Sequence, residues 1–255
     1  MLFLWILVLF LWLYSVPFLL LSCFLWTPFL IVLFPCCYIL NIFFLTDSMT
    51  LRTVLNNMPY HWWFGKITRI CLDDRCLVAS HPHGIFCVGI LCALHFSPGS
   101  TTKFAVSPWL FCIPMVGSLA RMLGCIPATE EEMVKALQSH TVIVVPGGVP
   151  ELVSQQLYTR RQGFIRVAKK ANVRIVTVVT KSTFYKTIKI PLQACRVYIA
   201  RKYGIPLIFP WIFGYGGTWL PKRLPVCVEV LPHFNVEGNI EKLRDEYFSR
   251  LQSLE

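Results

Sequence analysis

The first 46 residues of the chain contain not one Asp, Glu, Lys or Arg. About 20 consecutive apolar residues are enough for a helix to cross a bilayer, so this run is long enough for two passes or a deep hairpin. Pro17, Pro28 and Pro35 interrupt it. Each proline removes a backbone donor and bends a helix, which divides the run into apolar segments over 2–20 and 24–45. The stretch is too long for a secretory signal, lacks a basic start and offers no small-residue cleavage site. Trp5, Trp12 and Trp26 suit a lipid–water boundary. The expectation is a hydrophobic membrane hairpin over 1–46 followed by a membrane-associated domain over 47–255. Arg52, Lys66 and Arg69 follow the run and no cation precedes it, an asymmetry that places the domain on the cytosolic side.

Composition supports the same class. Charged residues make up 15% of the chain, against about 25% in ordinary globular domains. Apolar residues make up 55% and the mean hydropathy is +0.59, which excludes a disordered chain. The eleven cysteines are odd in number, scattered and free of any C-x-x-C pair, so free thiols are expected. His61, His95, His140 and His233 stand alone and no cysteine group has zinc spacing, so no metal is expected.

The charges that do occur are segregated. Between Glu151 and Glu229 there are fourteen Lys or Arg and no acid. Such a field attracts polyanions: anionic lipid headgroups, a phosphate-bearing cofactor such as coenzyme A, or nucleic acid. A solvated basic face that merely keeps the protein near a membrane is the plain alternative. Nucleic acid is the weakest partner, since no helix-turn-helix, zinc-finger or RNP-like pattern accompanies the charge.

Beyond the anchor, the aromatic cluster Tyr60, His61, Trp62, Trp63 and Phe64 reads as an interfacial belt. Short β-branched runs over 76–80, 141–145, 173–180 and 226–231 read as buried strands. Thr129 followed by Glu130, Glu131 and Glu132 is a capping box that opens a helix reaching Gln138. Ile240, Leu243, Tyr247, Leu251 and Leu254 share one face of a terminal helix. Alternation of strands with helices predicts an α/β fold with a largely parallel sheet flanked by helices.

Two motifs fall where such strands end, and in parallel α/β sheets ligands collect at those ends. In Ser80-His81-Pro82-His83-Gly84, two histidines precede an apolar helical stretch over 85–94, and histidine is the side chain best suited to take a proton near neutral pH. Gly84 removes a side chain, allowing close approach. In Val145-Pro146-Gly147-Gly148-Val149-Pro150-Glu151, Gly147 and Gly148 let the backbone turn. Glu151 is the only acid for a long way in either direction. Taken singly, an H-x-H pair and a Pro-Gly-Gly turn are ordinary structural features; together, at the ends of separate strands, they point to a shared site. No serine lies in a G-x-S-x-G elbow, and no cysteine is marked by its neighbours as activated.

The ordered set of motifs resembles the type-2 diacylglycerol and monoacylglycerol acyltransferase family. His81-Pro82-His83-Gly84 is similar to its HPHG signature, Arg121-Met122-Leu123-Gly124 to its arginine-and-glycine block and Gly147-Gly148-Val149-Pro150-Glu151 to its G-G-x-x-E block. Arg161-Gln162-Gly163-Phe164 is similar to the R-x-G-F block, and the glycine-rich stretch from Phe213 to Gly217 falls in the family's order. The cover is residues 60–254. No acid stands five positions after either histidine, so the H-x-x-x-x-D pair of more distant glycerolipid acyltransferases is absent. Lys181-Ser182-Thr183 stands where relatives tend to carry Gly-Glu.

The resemblance implies a glycerolipid-acyltransferase-like fold and an endoplasmic-reticulum membrane enzyme with its catalytic part facing the cytosol. Such an enzyme moves a fatty acyl group from acyl-CoA, a co-substrate and not a resident cofactor, to the hydroxyl of a neutral lipid such as diacylglycerol or monoacylglycerol. His83 is then the base assisted by His81, and Glu151 orients the histidine or the acceptor. Gly84, Gly147 and Gly148 border the reacting atoms with their backbone, Arg161 meets the CoA phosphates, and Arg121 is a further substrate contact. Two other functions fit the same residues: acyl transfer to a lysophospholipid-type acceptor, and an inert membrane scaffold that binds anionic lipid. The acceptor, the acyl chain and any homo-oligomer are left open.

Overall fold

The computed structural model describes residues 55–70, 72, 75–82, 84, 87–96, 100–112, 116–154, 156–187, 192–204, 212–215 and 220–253. Its centre is a six-stranded sheet built from β1 (Leu77–His81), β2 (Lys103–Val106), β3 (Cys125–Pro127), β4 (Val142–Val144), β5 (Ile175–Thr180) and a last strand, Val228–Val230. The spatial order is β3-β2-β4-β1-β5 followed by that last strand, which alone runs antiparallel. Two short strands, β6 (Lys186–Thr187) and β7 (Ile212–Phe213), pair separately, so the last sheet strand is β8.

All five residues of β1 are buried. That is the pattern of a parallel strand covered on both faces, and it is why Leu-Val-Ala reads as a continuous apolar run. Successive side chains alternate between the two covering layers. Val78 joins a core with Phe64, Ile90, Leu94, Val176 and Ala200. Leu77 and Ala79 join the other, with Leu137, Ile165, Leu243 and Tyr247. The second layer is formed by α4 (Glu130–Leu137), α6 (Gly163–Ala171) and α8 (Ile240–Gln252), and between the first two come β4 and α5 (Gly148–Ser154). The remaining helices are α1 (Tyr60–Phe64), α2 (Val88–Ile90), α3 (Val116–Met122) and α7 (Gln193–Tyr203).

Local chemistry explains several boundaries. The Thr129 hydroxyl accepts from the Glu132 amide at 3.4 Å and so caps α4, as the capping box predicts. Asn239 caps α8 in the same way at 2.8 Å. Helix α2 continues as a π-helical turn over Leu91–His95, which carries His95 into the interior. Its Nε2–H donates to the Leu123 carbonyl at 2.8 Å, leaving Nδ1 to accept from the Thr102 hydroxyl at 2.9 Å.

Three expectations are corrected. Among the described residues no helix is long and apolar enough to cross a membrane, so the fold class that included a membrane hairpin does not stand, and neither does the transmembrane, endoplasmic-reticulum placement built on it. The segment 1–46 read as that hairpin lies outside the described residues. The charge-free run alone carried the inference. The aromatic cluster near residue 60 is a free belt only in part: Trp62 is exposed, but Phe64 is buried edge-on against Phe184 at 5.5 Å. The Trp63 indole donates to Pro221 at 3.0 Å, and Arg223 stacks on the Trp63 ring at 4.5 Å.

His95 and Thr129 hold the domain to different degrees. Replacing His95 by Ala leaves a void in the core and removes hydrogen bonds to the Leu123 carbonyl and the Thr102 hydroxyl, which should cost about 2–4 kcal/mol. Thr129→Ala removes one exposed cap and should cost about 1 kcal/mol. Urea unfolding of the two variants measures the ranking, and equal losses would contradict the account of the π turn.

Candidate active site

Strands β1 and β4 lie side by side, but their chains leave toward opposite edges of the sheet, β1 to β2 and β4 to β5. Between the carboxyl ends of two such strands an α/β fold opens its crevice. His81 is the last residue of β1. By alternation it shares the face of Leu77 and Ala79, and it meets the α6–α8 layer with 2% of its surface exposed.

Two elements converge on its ring, and a third supports one of them. From α8, the Tyr247 hydroxyl lies 3.1 Å from His81 Nε2, and the Tyr247 and Phe248 rings flank the imidazole at 5.9 and 6.2 Å. From α5, Oε2 of Glu151 lies 3.8 Å from His81 Nδ1, with both side chains 2% exposed. That separation lets the carboxylate act on the ring by charge but is too long for a hydrogen bond. From β5, Thr177 hydrogen-bonds the Tyr247 hydroxyl. The Tyr247 phenol is held well above its ordinary range, first by burial and further by the Glu151 charge, against the Thr177 bond that lowers it.

The glycines before Glu151 exist for the carboxylate and its neighbour. A Cβ on Gly147 would lie 1.8 Å from Glu151 Oε2, so this backbone must lack a side chain for the acid to fold under it. Gly148 has φ +54°, a left-handed conformation that costs other residues energy. A Cβ there would meet the Arg161 guanidinium at 2.9 Å. The Glu151 Oε2 also accepts from the Tyr158 amide at 3.3 Å, which ties the segment leading to Arg161 onto the acid.

The structure therefore brings together His81, Glu151, Gly147, Gly148 and Arg161. Gly84 lies just beyond β1, exposed, with φ +54°. His83 lies outside the described residues. Arg121 belongs to a different neighbourhood, at the end of α3, where its guanidinium stacks on Phe111 at 5.3 Å. Among the described residues no group of three or more His, Cys, Asp or Glu is placed to hold a metal.

Sequence reasoning missed Tyr247, reading it only as one of an apolar stripe. A signal was present. A tyrosine on the buried face of a helix brings a hydroxyl that needs a partner, and the partner is the histidine at the end of the central strand. Thr177 was missed for the same reason, as a polar residue inside a strand read for its β-branching.

The model of a family described as diacylglycerol acyltransferase matches residues 65–251. A 2-acylglycerol O-acyltransferase 3 from Homo sapiens is 27% identical over 131 residues, covering 44% of this chain and 38% of that protein. The chain thus matches less than half the length of this curated relative. The 1-acyl-sn-glycerophosphate acyltransferase PlsC from Thermotoga maritima superposes with a TM-score of 0.49 at 17% identity, covering 91% of this chain and 92% of that one.

The two glycines differ in what a methyl group would strike, and the difference is measurable. Gly147→Ala pushes against a buried carboxylate and should cost about 1–3 kcal/mol. Gly148→Ala strains one backbone angle and displaces the end of a flexible side chain, costing roughly 1 kcal/mol. Urea unfolding of both should place Gly147→Ala lower, and the reverse order would show that Glu151 is free to move away.

Proposed function

The chain belongs to the diacylglycerol acyltransferase family over residues 65–251, and from that premise we propose that it is an O-acyltransferase moving a fatty acyl group from acyl-CoA to a glycerolipid hydroxyl. The observation that carries the reading is the meeting of His81, Glu151 and Tyr247 at the carboxyl end of the central strand.

His83 is the general base. Two residues beyond a histidine whose ring is held on both sides, it takes the acceptor's hydroxyl proton as the oxygen attacks the thioester carbon. The tetrahedral intermediate collapses with cleavage of the carbon–sulfur bond, and the same proton passes to the CoA thiolate. Backbone amides at Gly84 or Gly147–Gly148 stabilise the oxyanion, an effect of about 3 kcal/mol per donor in other acyl-transfer sites. Arg161, exposed beside Gly148, contacts the CoA phosphates.

A neutral acceptor, monoacylglycerol or diacylglycerol, is supported by the name of the human relative, which is given for 2-acylglycerol. A second reading, a lysophospholipid-type acceptor, is favoured by Arg160 and Arg161, both exposed and within the acid-free run. There a phosphate on the acceptor would be held by the same guanidinium groups.

Labelled oleoyl-CoA offered to the purified full-length chain with monoacylglycerol, diacylglycerol and lysophosphatidate names the acceptor from the product. His83→Ala should lower turnover by about 10²-fold or more with the melting temperature unchanged. A folded His83→Ala variant with wild-type turnover overturns the assignment, and absence of any ester from the wild-type chain overturns acyl transfer itself.

A further inference from the structure

Tyr247 lies 166 residues from His81 in sequence yet supplies the group that contacts its Nε2, at 3.1 Å in a buried setting. We infer that Tyr247 is a positioning residue for this site: its hydroxyl donates to Nε2 and holds the orientation of the His81 ring, whose tautomer the Glu151 charge sets, at the end of the strand that leads in sequence to His83. The inference deepens the acyltransferase reading and rests on it for its catalytic half.

The argument is one of proton placement. A neutral imidazole carries one N–H. Nδ1 is buried with no hydrogen-bond partner, and it faces the Glu151 carboxylate at 3.8 Å. A lone pair pointed at a carboxylate oxygen is repelled, whereas an N–H dipole is attracted, so the proton belongs on Nδ1. Nε2 then presents its lone pair to Tyr247, whose O–H donates, while Thr177 donates its own hydroxyl to the Tyr247 oxygen. Every donor in the row points the same way, toward the acid. Burial and the Glu151 charge both keep the phenol protonated, as this row requires.

With each ring nitrogen directed at a protein group, His81 has none left for the acceptor. Its task is to hold the end of β1, and the residue two positions on is left to exchange protons. This differs from the usual histidine–carboxylate pair, because here the third member arrives from the last helix of the domain.

The test separates structure from catalysis. In 15N-histidine-labelled protein, with His81 assigned by its loss in a His81→Asn chain, the wild type should show the Nδ1–H tautomer. Tyr247→Phe should keep that tautomer, because Glu151 sets it, and move the Nε2 resonance downfield, as for a lone pair that has lost its donor. In the oleoyl-CoA assay the same variant should lose about tenfold in kcat with KM unchanged, the worth of one hydrogen bond. Thr177→Val should move both readouts in the same direction by less, and it decides the matter if Tyr247→Phe does not fold. A wild-type proton on Nε2 or on both nitrogens overturns the inference, as does a folded Tyr247→Phe variant with unaltered kcat. If no acceptor is acylated by the wild type, the acyltransferase reading falls, while the Nε2 resonance of His81 still decides whether Tyr247 donates to it.

Discussion

A carboxylate with 2% of its surface exposed lies against the end of the central strand, and much of the surrounding sequence is explained by keeping it there. An ionised acid removed from water costs several kcal/mol unless dipoles and charges replace the solvent. Glu151 receives the Tyr158 amide on one oxygen and faces the His81 ring with the same atom. It occupies space that a side chain on Gly147 would take. The Pro-Gly-Gly turn is therefore less a flexible hinge than a cut-out in the backbone, shaped for one side chain.

The sheet makes this burial possible. Because β1 is covered on both faces, its last residue is enclosed by helices from both ends of the domain rather than by solvent. Tyr247 can reach His81 because α8 packs on the layer that Leu77 and Ala79 face. Phe164 from α6 lies 4.9 Å from Tyr247, ring centroid to centroid, and limits where the phenol can stand. The polar row is thus embedded in an aromatic one, where hydrogen bonds gain strength from the low dielectric and unmet groups are costly.

Much of the site could be read from residues alone. His81, Gly147, Gly148 and Glu151 are legible because strand ends and glycine turns leave local marks, whereas Arg161 enters through the resemblance. Four sheet strands were legible from short β-branched runs, with ends shifted by a residue or two. Strands β2 and β3 were not, since Lys103-Phe104-Ala105-Val106 and Cys125-Ile126-Pro127 are too brief and too mixed to carry a period. Tyr247 was hidden by a different cause: helical periodicity reports which face is buried, not what its one hydroxyl touches across the fold. Arg121 was placed by motif order alone, and order along a chain does not imply proximity in space.

The acid-free basic run shows how far sequence proximity can mislead about charge. It reads as a uniform field, yet its partners stand outside it. Glu130, ahead of the run, takes Arg166 at 2.9 Å and Lys170, and the Lys170 hydrogen bond, with added charge from both cations, holds its carboxyl below the ordinary range. Glu229, behind the run, takes Lys181 at 2.6 Å. Lys169 is spent on the Gly238 carbonyl at 2.7 Å, and Arg201 stacks on Tyr158 at 5.4 Å. These contacts are exposed and individually weak, but they fix where the charge is already answered. Arg160 and Arg161 are exposed, and the Arg161 guanidinium lies against the Gly148 turn. What charge stands open at the end of β4 is therefore decided by local geometry rather than by the net charge of +11.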